Sequence, residues 1–149
     1  MVDRVDGIAR AALAVLTLVA LEVGLWAELA PRSFYRSFPG LGRHWVSALG
    51  PYNEHLIRDV GSLNLALAVI SAAAAIVATV VLTRIAAVAW LVYSVPHLIF
   101  HLANLGPFGA GDQVGSVTAL AVTVLLPVML LVLTVGPAVR TGTAKPAPR

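Results

Sequence analysis

Residues Val60–Ala103 read VGSLNLALAVISAAAAIVATVVLTRIAAVAWLVYSVPHLIFHLA, and this stretch holds one residue of fixed charge, Arg84. A bilayer core of about 30 Å is crossed by about 20 apolar residues at 1.5 Å rise each. The stretch is therefore long enough for two crossings, and the arginine divides them. Its reading is a span over Val60–Thr83 and another over Ile85–Ala103, antiparallel neighbours joined by a very tight turn at Arg84. Working outward, Ile8–Ala30 and Gly115–Val139 meet the same length. The predicted fold class is all-α: a polytopic membrane protein built as an antiparallel four-transmembrane-helix bundle, one domain over residues 1–149.

The composition agrees with this reading. Of 149 residues, 59% are hydrophobic and 11% charged, and the mean hydropathy is +0.90, far from the mix of a soluble globule. Ten Lys and Arg against seven acids give a net +3, with most of the bases in connecting segments, where they meet lipid headgroups. No basic patch is interleaved with base-stacking aromatics, so a nucleic-acid partner is not expected. The chain has no cysteine, which excludes disulfides, thiolate metal sites and thiol redox chemistry.

The connections differ in character. Residues 31–59 form the long one, in which Phe34, Tyr35, Phe38, Trp45 and Tyr52 alternate with Arg32, Arg36 and Arg43. That mixture of amphipathic rings and snorkelling cations predicts a structured segment lying on the headgroups. Pro51 suits the first turn of a helix, so the second helix is expected to begin there and project beyond the lipid. The third and fourth spans are joined by NLGPFGAGDQVG, whose only charge is Asp112. The tail over 140–149 is polar and Pro-containing and is expected to be disordered. Six bases on the side of the termini (Arg4, Arg10, Arg84, Arg140, Lys145, Arg149) face four on the other (Arg32, Arg36, Arg43, Arg58), which favours cytoplasmic termini. The competing reading of the first span as a cleaved signal peptide is weakened by Leu25, Trp26 and Leu29, which continue the apolar run, and by the lack of a small-x-small site after it.

Depth along each span locates the polar residues. Counted from the side of the termini, Glu22 lies about 21 Å up the first helix, His97 and His101 about 18 and 24 Å up the third, and Asn64 about 28 Å up the second. His55, Arg58 and Asp59 come higher still, so the polar residues share one half of the bilayer. His97 and His101 are one helical turn apart on a stripe with Trp90, Tyr93 and Ser94. An intramembrane acid is costly unless paired or wet, so Glu22 is expected to face the bundle interior, with the two histidines as partners.

This constellation admits three readings. In the first, His97, His101 and Glu22 bind zinc or iron as two imidazoles and a carboxylate, with His55 and Asp59 as further ligands or supports. Histidines at i and i+4 project from one side of a helix and cannot be the two opposite axial ligands of one haem. In the second, Glu22, His97, His101, His55 and Asp59 perform acid–base chemistry on a lipophilic molecule such as an isoprenoid, quinone or lipid. Asn64, Arg58, Trp26, Trp90, Tyr93 and Phe100 would then contact it. In the third, the polar groups only hold helix register by interhelical hydrogen bonds, and the protein is a non-catalytic scaffold or accessory subunit, with a second copy or a larger membrane complex as partner.

GPYNEHLIRDVGSLNLAL at the start of the second helix, the four spans and the long aromatic- and arginine-bearing first connection together resemble the DoxX-like small bacterial membrane proteins. The resemblance covers most of the chain loosely. It implies a four-helix fold in a bacterial cytoplasmic membrane and a redox or quinone-associated context, and it carries over no catalytic residue.

Overall fold

A computed structural model describes residues 5–135. These form five helices: α1 (Gly7–Leu29), α2 (Pro31–Ser37), α3 (Glu54–Val77), α4 (Val80–Ala103) and α5 (Ala110–Thr134). The four long ones are 23 to 25 residues each and apolar enough to cross a membrane, and no strand occurs among the described residues. The chain is an all-helical, multi-pass membrane protein. The tail over 140–149 lies outside the described residues.

Helix ends follow local capping rather than charge. The turn between α3 and α4 falls at Ala78 and Thr79, six and five residues before the expected Arg84. Ala78 takes φ 57°, and the Thr79 hydroxyl accepts from the Leu82 amide at 3.4 Å, supplying an N-cap that hydropathy does not register. Arg84 instead sits one turn inside α4, where its guanidinium donates to the Thr134 carbonyl at the C-terminus of α5, an end that favours a cation. Likewise α3 begins at Glu54 and not at Pro51, because the Asn53 side chain accepts from the Leu56 amide at 3.2 Å and caps it. Helix α5 begins at Ala110, five residues before Gly115, which moves Asp112 from a loop into the first helical turn. Pro31 starts the short α2 at its first position, where the missing N–H costs nothing.

The spans pack chiefly as α1 on α3 and α4 on α5, with α3 also meeting α4. Alanines dominate the α1–α3 seam, and two glycines bring the backbones into contact. A Cβ on Gly61 would lie 3.0 Å from the Glu28 backbone nitrogen and 3.2 Å from the Gly24 carbonyl, and one on Gly24 would lie 3.0 Å from the Leu65 nitrogen. Close approach of this kind is what associates helices in lipid, where apolar surface by itself provides no drive. Across α3 and α4, the buried Trp90 indole donates to the Ser71 hydroxyl at 2.7 Å. Ala12, Leu13, Leu16, Ala86, Ala87 and Leu130 fill the half nearer the termini. A second cluster, centred on Ala27, Phe34 and Ile57, sits at the opposite end.

Gly61→Ala places a methyl against α1 backbone that cannot move aside as a side chain could. It is expected to cost about 1–3 kcal/mol, measured as a lower thermal unfolding midpoint in detergent. Gly111→Ala, where an added Cβ meets nothing within 4 Å, should leave that midpoint unchanged or raised.

Candidate ligand cavity

Between the two clusters the helices and the connection from α2 to α3 surround a partly open cavity of about 450 Å³. Val19 and Val23 of α1, Ile57, Val60 and Asn64 of α3, and Ser116, Ala119 and Thr123 of α5 form three of its walls. The fourth is a ladder of rings on α4, spaced at helical intervals: Trp90, Tyr93, His97, His101. Consecutive ring centroids along it lie 6.4, 5.4 and 4.8 Å apart, and Phe108 extends it at 6.3 Å from His101. Phe100 also lines the cavity, and among the described residues no Asp, Glu, Lys or Arg does.

Polar groups along this wall are unevenly satisfied. Asn64 is buried and donates to its own helix at the Val60 carbonyl (2.9 Å) and to the Tyr93 hydroxyl (3.3 Å). His101 is 9% exposed, and its Nδ1 has no partner among the described residues. Leaving such a group unmatched costs about 1–3 kcal/mol. Tyr93 lines a second hollow as well, a groove on the outer surface between α3 and α4 bounded by Leu63, Ala66, Ile70 and Val92. This one side chain therefore borders both hollows.

The roof is the segment expected to lie on the headgroups. Phe34, Tyr35, Phe38, Trp45, Val46 and Leu49 line the cavity from above. Phe38 meets Trp45 and Trp26 edge-on at 6.2 and 6.0 Å, and the Tyr35 hydroxyl donates to the Gly50 carbonyl at 2.9 Å. The chain reverses through Gly40, Leu41 and Gly42 at φ 95°, 55° and 74°, a left-handed run that glycine makes accessible. Trp45 then crosses to α5, where its indole donates to Asp112 at 2.8 Å and Arg43 pairs with the same carboxylate oxygen. A Cβ on Gly115 would come 3.1 Å from the Trp45 ring, so that glycine is the seat of the indole.

The structure brings Asn64, Trp90, Tyr93, His97, Phe100 and His101 together and separates the remaining sequence candidates from them. Glu22 is exposed on the outward face of α1. The seam with α3 fixes the rotation of that helix through Gly24, and a residue two positions away points about 200° around the axis. The expected His97, His101 and Glu22 set therefore does not form. Among the described residues no three His, Cys, Asp or Glu side chains stand close enough to hold a metal ion, and two imidazoles alone fall short of the three-ligand site. His55 and Asp59 pair with each other at 3.4 Å on the outside, His55 with 87% of its side chain exposed. Arg58 clamps α3 to α1 outside the cavity, donating to Glu54 at 3.0 and 3.1 Å and to the Glu28 carbonyl. Trp26 donates to Ser33 and supports Phe34 and Phe38 from behind without reaching the cavity.

Sequence reading passes over Ser116, Thr123 and the roof aromatics. Two hydroxyls in an apolar helix carry no distinguishing pattern, and rings beside arginines read equally as a headgroup belt. Compared with known proteins, the chain matches no family model, no curated protein and no solved structure.

Asp112→Ala removes both contacts that tie the roof to α5. Trypsin cleavage after Arg43 in detergent-solubilised protein is expected to rise several-fold over wild type, with helix content by circular dichroism unchanged, because the ion pair is partly exposed and adds little to global stability.

Proposed function

We propose that this protein binds an uncharged, lipophilic molecule of the isoprenoid, quinone or neutral-lipid class inside the bundle, with His97 and His101 contacting its polar end. The observation that carries this reading is the pair of imidazoles, His97 and His101, in the lining of an otherwise largely apolar cavity of about 450 Å³. A carbonyl on the bound molecule would accept from whichever ring nitrogen carries the proton, and a hydroxyl would pair with a ring nitrogen in either tautomer. The lack of any fixed charge in the lining argues against a phosphate or carboxylate headgroup, which would be desolvated there without a counter-ion. His97 and His101, stacked 4.8 Å apart, are also the groups placed to exchange a proton with the bound molecule, which makes acid–base chemistry the enzymatic form of the same reading. The resemblance to DoxX-like proteins is consistent with a quinone-associated setting. We further propose a bacterial cytoplasmic membrane, from that resemblance, with cytoplasmic termini, from the bias of Lys and Arg toward their side.

A scaffold reading draws on Asn64–Tyr93 and Trp90–Ser71, hydrogen bonds that tie α3 to α4 without any ligand. The two readings diverge under substitution. Mass spectrometry of organic extracts is expected to find a neutral lipophile retained by purified wild-type protein. His101→Leu, which keeps bulk and removes the nitrogens, should lower that retention about tenfold, the equivalent of one hydrogen bond. Ala119→Phe, which fills the cavity, should abolish it. Equal lipid content in all three proteins, each with an unchanged melting midpoint, would favour the scaffold.

A further inference from the structure

Helix α1 carries a second feature, which owes nothing to the cavity. Its outward face presents Ala11, Val15, Leu18, Glu22, Leu25 and Leu29, all exposed and spaced 4, 3, 4, 3 and 4 apart. That spacing is a heptad seam, the stripe along which one helix meets another in a left-handed supercoil. Glu22 interrupts it about 22 Å above Gly7 on a helix about 34 Å long, well inside hydrocarbon. Side chains on a helix tilt toward its N-terminus, so this one leans to the bilayer centre rather than to the nearer surface. A carboxyl set in lipid is expensive without a polar partner, and α1 and its neighbours supply none: among the described residues no exposed Lys, Arg or His stands within one turn of that height on α3, α4 or α5.

We propose that this face is covered by the same face of a second copy, α1 against α1, with the two Glu22 carboxyls paired across the dyad. Copies inserted in the same direction are related by a two-fold axis along the membrane normal, and a residue near that axis meets its own counterpart at the same depth. As neutral acids two carboxyls each offer one donor and one acceptor, so the polar complement of Glu22 is Glu22. Leu18 and Leu25 flank it at seam positions on either side, the apolar spacing of a two-helix contact.

The chain has no cysteine, so single introduced thiols report one position each. In full-length protein reconstituted at low density in liposomes, oxidation is expected to link Leu18→Cys and Leu25→Cys copies into disulfide dimers. Val69→Cys on α3 and Val92→Cys on α4, at least as exposed as Leu18 and Leu25, should remain monomeric. Adding Glu22→Gln, whose amide also donates and accepts, should retain the link. Adding Glu22→Leu should lower the dimer fraction about tenfold without shifting the melting midpoint, since leucine suits a lipid-facing position. Equal linking at all four positions, no linking at any, or dimers indifferent to Glu22→Leu would overturn the proposal, as would capture of a different protein at Leu18→Cys in native membranes.

Discussion

The contact between Gly24 and Gly61 is the constraint from which most of the structure follows. With two glycines at the crossing, the backbones of α1 and α3 touch, and a helix held at that distance has no freedom to rotate. Its rotation decides which α1 residues face inward. Val19 and Val23 become cavity wall, Ala27 packs beneath the roof, and Glu22 turns outward. The same crossing brings the Glu28 carbonyl within reach of Arg58, which locks the upper end of the pair. A β-carbon at either glycine would change the direction of every side chain that depends on this seam.

Asp112 has a comparable role on the opposite side of the bundle. Standing in the first turn of α5, it occupies a position where free amides and the helix dipole favour an acid. There it receives both Trp45 and Arg43 from a connection that starts on α1. One carboxylate thus spans the mouth of the cavity and converts a loop of rings and cations into a roof.

Four crossings can be read from hydropathy and the 1.5 Å rise alone, because lipid leaves few other ways to satisfy a backbone. Depth is legible for the same reason, and Asn64, His97 and His101, counted to one half of the bilayer, line one cavity. Rotation about the helix axis is not legible. Glu22 lies near the depth of the histidines and on the wrong side, since the face of α1 is chosen by alanines and glycines whose individual hydropathy says nothing of what they touch. The turn at Ala78 and Thr79 is hidden by a comparable blindness: a threonine cap is as apolar in a window average as the helix it ends. Trp45 illustrates the third limit, for the same ring can rest on headgroups or over a cavity, and only its distant partner Asp112 decides.

Tyr93 lines both the cavity and the groove between α3 and α4, and its hydroxyl accepts a 3.3 Å hydrogen bond from Asn64. Cavity and groove therefore share one phenol ring as a common wall. Traffic through such a wall would run on the clock of a side-chain rotation, nanoseconds or slower where packing resists, rather than on that of helices sliding apart. Under the proposed reading, a bound molecule would reach the surrounding membrane without the helices parting.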